Sequence, residues 1–285
     1  MRSLDRTQYR RIASVSEAGP DSVVASPKRS IVAVNCRAIT GGLVASDLVW
    51  AQFRSVSGRL LERPVSQLRE EPLEKRAGLW QPPRYQGRRA ITTWWRPADR
   101  AGHAGCTTLG ALEMAISLEF DPDVATFASW PVRLFWAGSA DGYLPDFFAR
   151  LRDGRALLVV RRPGGRADSA SWDQTQELVT AAGVQAGWKV RVHTGDEDTV
   201  AVRNRQRLAR YRHDRLADAD TVSVLREVFA QPCSFDDGVA ASGLPPLATV
   251  ACGLHLIWRG ELLIDWRRPF VPGRSLVRTR TEAQR

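Results

Sequence analysis

The sequence has little cysteine, almost no lysine and no long apolar run, and each shortage excludes a class of protein. Four cysteines occur in 285 residues, and no two of them form a Cys-x-x-Cys pair. A structural zinc site or a disulfide framework is therefore not indicated, and we expect reduced thiols in a cytoplasmic protein. No apolar stretch approaches the ~18–20 residues of a membrane span, and the first residues lack the apolar core of a secretory signal. We therefore expect no contact with a membrane.

Positive charge is the strongest compositional feature. The chain has 41 lysines and arginines against 31 aspartates and glutamates, and only three of the basic residues are lysines. The resulting net charge of +10 favours a partner that carries phosphate groups, although a general bias toward arginine produces the same excess. The length of 285 residues allows one large domain or two ordinary ones.

A β-hairpin is predicted over residues 143–160. Residues 143–151 are apolar and aromatic, Asp153-Gly154 is a turn signal, and 156–160 is an apolar run typical of a strand buried on both faces. Asp146 begins the first strand and Arg162 follows the second. Since the start of one antiparallel strand lies beside the end of its partner, these two residues are expected to be neighbours. Asp146 alone would also fit a surface or capping carboxylate.

This hairpin resembles the start of a metal-dependent nuclease site of the PD-(D/E)xK type. Such a site has an acid on the first strand, a second acid or a glutamine on the next strand, and a lysine two residues later on the same face. Carboxylate oxygens bind magnesium, which activates water and stabilises charge on the phosphate. Here Asp146 is the first acid and Arg162 takes the lysine position, but Val160 replaces the second acid and cannot bind a metal.

Residues 106–120 form the clearest predicted helix. Thr107 or Thr108 can cap it, and one apolar stripe at helical spacing comprises Leu109, Leu112, Ile116 and Phe120. Glu113 points toward this stripe and therefore needs a partner such as a metal, an arginine or a backbone donor. Glu119 lies well round the helix and is expected to be solvated.

Aromatic and cationic residues alternate over residues 80–100. Tryptophans and a tyrosine are interleaved with arginines that include Arg84, Arg88, Arg89 and Arg96. Together they can hold nucleic acid by stacking and phosphate contact. A pair of strands with a half-buried aromatic face and arginines at its rim explains the pattern equally well, and the sequence leaves both interpretations open.

The order of the elements predicts an α/β fold with a mixed sheet. Strands at 124–127 and 131–136 lead into the hairpin, which is followed by a helix at 171–183 and a strand at 188–193. This is the order of a restriction-endonuclease-like core. We therefore assign residues 31–198 to a nuclease-like domain with an N-terminal extension, preceded by a poorly ordered lead-in at 1–30.

Residues 199–285 are predicted to form a second, winged-helix-like domain with a basic tail. Helices are expected at 202–211 and 221–230, and 247–258 is expected to be a helix leading into a strand. Residues 254–258 and 262–266 are then expected to form a strand, turn, strand unit. In such modules a helix enters the major groove and the wing contacts the backbone. The arginines of the first helix that could contact DNA are Arg203, Arg207 and Arg210. A solvated helix face is the alternative.

These segments together resemble the TnsA-like endonuclease subunits of heteromeric transposases. The segments that carry the resemblance occur in the family's order over roughly residues 80–280 and are 112–124, 129–134, 144–147, 161–163, 208–213 and 256–262. The resemblance implies a PD-(D/E)xK nuclease domain followed by a winged-helix-like domain. It also implies double-stranded DNA and a DDE-type transposase as partners.

Carried over residue by residue, the family's site is incomplete in this chain. Asp146 matches the strand acid and Arg162 falls at the lysine. Val160 falls where an acid or glutamine is expected, and an ungapped match puts Ala111 at the helix acid. A two-residue slip makes Glu113 the counterpart instead. The resemblance then implies that Glu113 and Asp146 hold Mg²⁺, or Mn²⁺, while Arg162 contacts the scissile phosphate.

Two functions follow as expectations. The first is a DNA endonuclease that cuts one strand at each transposon end with the help of the metal. The second is a nuclease fold whose site has decayed, retained as a DNA-binding or transposase-bridging module.

Overall fold

The computed structural model describes residues 32–33, 48–82, 92–98, 102–163, 169–195 and 198–280. The lead-in predicted at residues 1–30 and the end of the basic tail lie outside the described residues. The same holds for three arginines that the sequence predicts to contact DNA, which are Arg84, Arg88 and Arg89.

The N-terminal part of the described chain, residues 32–195, has mixed α/β structure. Its elements are β1 (Val32–Ala33), β2 (Val49–Arg54), β3 (Leu60–Pro64), β4 (Thr93–Trp95), β5 (Ala104–Cys106), α1 (Leu109–Phe120), β6 (Val124–Ser129), β7 (Val132–Trp136), β8 (Phe147–Leu151), β9 (Ala156–Arg161), α2 (Ser169–Ala186) and β10 (Lys189–His193). The predicted strand, hairpin, helix, strand order is thus present, and α/β is the observed class.

A five-stranded mixed sheet with the order β1-β10-β9-β8-β6 forms the centre of this part. The hairpin β8–β9 is antiparallel, and its connecting residues include Gly154, whose φ of 85° explains why glycine suits the turn. Strands β9 and β10 are parallel and are joined through α2. The hairpin prediction is confirmed, with the first strand beginning at Phe147 rather than Tyr143.

The two faces of the sheet bury different helices, because strand side chains alternate. Phe147 and Val159 pack with Met114 of α1 in one core. Phe148 and Val160 belong to a second core, which contains α2 and strands β2 and β7. The sheet therefore lies between two helical layers, as expected for a strand pair that is apolar throughout.

The C-terminal part, residues 198–280, consists of short helices and a small sheet. Its elements are α3 (Thr199–Leu208), α4 (Ala219–Val228), β11 (Cys233–Ser234), α5 (Phe235–Ala241), α6 (Pro246–Trp258), β12 (Leu262–Leu263) and β13 (Leu276–Thr279). The three strands pair in the order β11-β13-β12. Their core extends into the N-terminal part, since Ile116 of α1 belongs to it.

One sequence prediction is wrong in this fold, and another holds for three of its four residues. Residues 254–258 are not a strand but the last turns of the continuous helix α6, which ends before Gly260 with its φ of 70°. Of the apolar stripe predicted on α1, Ile116 is buried and Leu112 and Phe120 pack against the same core, whereas Leu109 is 58% exposed. The helix also buries a second face against the sheet, formed by Ala111, Met114, Ala115 and Leu118. Thr108 does cap α1, since its Oγ1 accepts a hydrogen bond from Ala111 N–H at 3.1 Å.

Within the described ranges, no helix combines the length and the apolar character needed to traverse a lipid bilayer.

Candidate functional site

Three strands of the central sheet bring charged residues to one edge. Asp146 directly precedes β8, Arg161 ends β9 and His193 ends β10. Arg161 and His193 are partners in the parallel register of β9 and β10. The start of β8 lies beside the end of β9, because the hairpin is antiparallel. The hairpin thus places an acid next to two groups that can carry positive charge.

Asp146 is fixed by its backbone and by its side chain. Its carboxylate Oδ2 accepts a hydrogen bond from the backbone N–H of Arg161 at 3.2 Å. Its own carbonyl oxygen accepts one from the N–H of Trp130 at 3.2 Å. The expected neighbour of Asp146 was Arg162, whose side chain is exposed and whose N–H donates to the His193 carbonyl at 2.9 Å. The arginine that acts electrostatically on Asp146 is therefore Arg161.

Burial raises the pKa of the Asp146 carboxyl above its ordinary value of 3.8. Electrostatic interactions with Arg161 and His193 and the N–H of Arg161 oppose this rise without cancelling it. Burial and the nearby Asp146 also raise the pKa of the Tyr143 hydroxyl well above its usual range. Burial raises the pKa of the Cys106 thiol to about 12. This edge of the sheet is thus poorly hydrated, and a negative charge there is unfavourable unless a cation lies beside it.

The Arg161 side chain crosses the first turn of α1. A Cβ added to Gly110 would lie 3.6 Å from Arg161 Cδ and 4.0 Å from its Nη1, which is ordinary van der Waals contact and places the Arg161 side chain against this turn. Within the described part of the chain, the buried Arg161 Nε has no hydrogen-bond partner. A guanidinium beside a helix N-terminus attracts anions such as phosphate, since both carry positive character.

Trp130, which lies next to Asp146, has a strained backbone. Its φ of 53° is uncommon for a residue with a Cβ, and it precedes Pro131. Its carbonyl accepts a hydrogen bond from Leu79 N–H at 2.8 Å. Gly105 packs directly against the indole, where an added Cβ would lie only 2.4 Å from the ring. This close packing fixes the position of Trp130, whose N–H donates a hydrogen bond to the Asp146 carbonyl.

The predicted second ligand, Glu113, faces α3. Its Oε1 accepts a hydrogen bond from Gln206 Nε2 at 3.0 Å. Val160 is 1% exposed, and extending the observed register by one residue places it opposite Asp146. Among the described residues, no group of three or more histidine, cysteine or acidic side chains could share a metal ion. An acid flanked by Arg161 and His193 and facing Val160 does not fit Mg²⁺ or Mn²⁺, which require several oxygen ligands.

The arginines predicted to contact DNA from the C-terminal part are exposed. Arg203 and Arg207 lie on α3, and Arg210 lies in the 3₁₀ turn that continues it. Of the aromatic stretch before α1, Trp94 is 40% exposed on β4, whereas Trp95 is partly buried under Arg212. The half-buried aromatic pair of strands is thus present in β4 and β5, and a stacking role remains a prediction for Trp94.

Sequence reasoning missed Arg161, His193 and Trp130. An Arg-Arg pair at the end of a strand does not show which arginine faces the acid. His193 closes the alternating run at 188–193, but its proximity to Asp146 depends on a parallel register that no local pattern reveals. The Trp130-Pro131 pair did give a signal, because proline restricts the residue before it.

Replacing Asp146 with asparagine is expected to stabilise the fold at neutral pH by about 0.5–2 kcal/mol. Asparagine can still accept the hydrogen bond from Arg161 N–H but carries no charge to desolvate. Because the folded-state pKa of Asp146 is raised, the folded protein binds more protons than the unfolded one just above pH 3.8. Its contribution to stability therefore falls as the pH rises from 3.8 through the folded pKa.

Urea unfolding of both proteins from about pH 4 to about pH 7 checks this prediction. The stability advantage of Asp146→Asn should grow with pH. Asp153→Asn is the control of opposite sign, because hydrogen bonds from Arg155 hold the pKa of Asp153 below its ordinary value. A constant or shrinking advantage for Asp146→Asn would contradict the buried position of the carboxyl.

Compared with known proteins, the chain matches no protein-family model and no curated protein sequence at a significant level.

Proposed function

We propose that this chain is a TnsA-like subunit of a heteromeric transposase that binds duplex DNA through a nuclease-type fold without cleaving it. One observation carries the choice between cleavage and binding. Val160, at the position of the second acid, is buried in an apolar core beside the start of β8. Asp146 therefore lacks the second carboxylate that a two-acid metal site needs.

The order of elements supports the nuclease-type ancestry. Helix α1, the antiparallel hairpin β8–β9, the crossing helix α2 and the parallel strand β10 follow the order of a restriction-endonuclease-like core. The C-terminal sequence of α4, β11, α5, α6, β12 and β13, with the sheet order β11-β13-β12, supports a winged-helix-like module. Such a module commonly places a protein on DNA.

The charges support a phosphate-bearing partner. The formal net charge is +10, and Arg161 and His193 lie beside Asp146 at the sheet edge. The guanidinium of Arg161 can contact a phosphate of the DNA backbone there. A DDE-type transposase would then supply the strand cleavage that this site is not equipped to perform.

The rival proposal is a magnesium-dependent endonuclease in which Glu113 and Asp146 bind the ion and Arg162 contacts the scissile phosphate. It requires Glu113 to leave Gln206 and to turn toward Asp146. Its support is the position of Asp146, which directly follows Pro145 at the head of the hairpin, as the first acid of such nucleases does.

A nicking assay distinguishes the two proposals. The purified full chain is incubated with supercoiled plasmid and Mg²⁺ or Mn²⁺, alone and with a candidate DDE-type transposase. We expect retention of DNA at low salt and no nicks that depend on this chain's carboxylates. Glu113→Gln and Asp146→Ala should leave the products of the combined reaction unchanged.

Nicking that both substitutions abolish would establish the endonuclease and overturn the non-cleaving proposal. Failure of the wild-type chain to retain DNA even at low salt would overturn the DNA-binding proposal as well, and would leave a subunit that contacts only protein.

A further inference from the structure

Helix α3 presents Arg203 and Arg207 between two fixed boundaries. With 3.6 residues per turn, Arg207 and Arg203 lie about 60° and 100° round the helix from Asn204 in the same direction, followed by Gln206 at about 160°. Asn204 is buried and Gln206 is bonded to Glu113 of α1. The strip between these two contacts is open to solvent. Arg210 continues it in the following 3₁₀ turn and is also exposed.

Asn204 attaches the loop between β12 and β13 to this strip. Its side chain accepts a hydrogen bond from Phe270 N–H at 3.0 Å and donates to the Arg268 carbonyl at 2.8 Å. The loop is thereby held against α3, on the side of the helix where Arg207 begins the strip. Two neighbouring loop residues, Arg267 and Arg268, are exposed. The loop that carries these two arginines therefore borders the strip on α3.

The helix that a winged-helix module would place in the major groove is not available for that task. Residues 252–258 of α6 are buried, and α6 contains no lysine or arginine. Its exposed residues are apolar ones near its N-terminus, including Leu247, which is 88% exposed. A DNA duplex would therefore find neither phosphate ligands nor donors for base edges along most of α6.

We infer that duplex DNA binds instead across the arginine surface, formed by Arg203, Arg207, Arg210, Arg267 and Arg268. This inference rests on the proposed function, since it names the surface on which that function depends. Arg203 and Arg210 are separated by roughly 10 Å along the helix axis, enough to span about three phosphates of one strand. Contacts of this kind fix the position of the duplex without reading its sequence.

The arrangement favours a regular polyanion over an acidic protein segment. The strip of α3 that carries the arginines is held in place on both sides. Asn204 is hydrogen-bonded to the loop on one side, and Gln206 is hydrogen-bonded to α1 on the other. Arg268 forms an ion pair at 3.4 Å with the exposed Asp265, so Arg203, Arg207 and Arg210 should contribute most. The duplex would lie along α3. Glu113 of α1 lies on the side of α3 that faces the N-terminal part.

The test is a salt titration of binding. Fluorescence anisotropy of a labelled duplex of about 25 base pairs, in EDTA, gives the Kd from about 50 to about 200 mM salt. The triple variant Arg203→Gln, Arg207→Gln, Arg210→Gln should bind at least about tenfold more weakly at about 100 mM salt. The slope of log K against log salt should fall by about 2–3, or about 0.9 for each lost phosphate contact.

A matched control removes the same charge elsewhere. Arg59, Arg63 and Arg69 are exposed in the N-terminal part, around and after β3, and their triple change to glutamine should leave the slope nearly unchanged. Circular dichroism and Tm establish that both variants are folded. A second variant, Arg267→Gln with Arg268→Gln, should reduce the slope by about 1.

Equal losses in the α3 variant and in the control would show a general effect of net charge and overturn the inference. An unchanged slope in the α3 variant would also overturn it. If the wild-type chain bound no DNA, both the proposed function and the proposed binding surface would be wrong. If it bound DNA equally well without these arginines, only the proposed surface would be wrong.

Discussion

The Arg212→Ala variant is expected to unfold with a free energy about 3 kcal/mol lower than that of the wild type. Arg212 forms an ion pair at 3.5 Å with Glu119 of α1, and the two side chains are only 13% and 12% exposed. Its guanidinium carbon lies 4.2 Å from the centre of the Trp95 ring. Removing one partner of a buried ion pair leaves the other charge in a poorly hydrated place.

The same arginine joins the two parts of the chain through backbone contacts. Its Nη2 donates to the Arg96 carbonyl and its Nη1 to the Ala209 carbonyl, both at 2.8 Å. Glu119 retains a hydrogen bond from Trp95 Nε1 and one from Ala98 N–H after the substitution. The expected loss therefore lies at the lower end of the ~3–5 kcal/mol range for broken buried pairs.

Thermal and urea unfolding measure this loss. A decrease of about 3 kcal/mol corresponds to a fall in Tm of roughly 6–12 °C for a chain of this size. Arg212→Lys should lose much of the stability too, since lysine keeps the charge but not the planar fork that stacks on Trp95. Arg215→Ala is the control, because that arginine is exposed three residues later and should change stability by less than about 0.5 kcal/mol. Similar losses at the two positions would contradict the network.

Glu119 shows what the apolar pattern of a helix can and cannot predict. The pattern placed α1 correctly, because apolar residues recur at helical spacing and a threonine stands before them. It also predicted that Glu119 faces water, and this is wrong. The side of α1 opposite the sheet is covered by the C-terminal part, whose core includes Ile116. The pattern of a single helix cannot show that residues about 90 positions further along the chain, such as Arg212, pack against its other side.

The hairpin shows the same division between local and distant information. Turn residues and an apolar run were enough to predict β8 and β9, since both signals are local. They could not decide between Arg161 and Arg162 as the neighbour of Asp146. That choice depends on the exact register of β8 and β9, in which the N–H of Arg161 donates to the Asp146 carboxylate. Periodicity also failed at 254–258, because a short apolar run fits a buried strand and a buried helix equally.

Asn204→Leu is expected to destabilise the protein by about 2–4 kcal/mol, although the new side chain has a similar volume. Asn204 is 1% exposed, and its amide bonds the backbone of three loop residues. Phe270 donates to Oδ1 at 3.0 Å, while Nδ2 donates to the carbonyls of Arg268 at 2.8 Å and Trp266 at 3.4 Å. Leucine would leave these groups without their partner, and each buried unsatisfied group costs about 1–3 kcal/mol.

The loss should be accompanied by faster hydrogen exchange in the loop between β12 and β13, because Asn204 ties that loop to α3. Gln206→Leu is the matched control on the same helix. Gln206 is exposed and bonds only the Glu113 side chain among the described residues, so its replacement should change stability by less than about 0.5–1 kcal/mol.

Asn204→Asp separates hydrogen bonding from packing. Aspartate has nearly the same shape and can still accept from Phe270 N–H, but its second oxygen would face the carbonyls of Arg268 and Trp266. Protonation restores a donor, so the stability deficit of Asn204→Asp should grow as the pH rises above the usual range of an aspartate. A side chain that only filled space would give a deficit that does not change with pH. Unfolding of the two variants at about pH 4 and about pH 7 therefore decides whether the amide itself holds the loop.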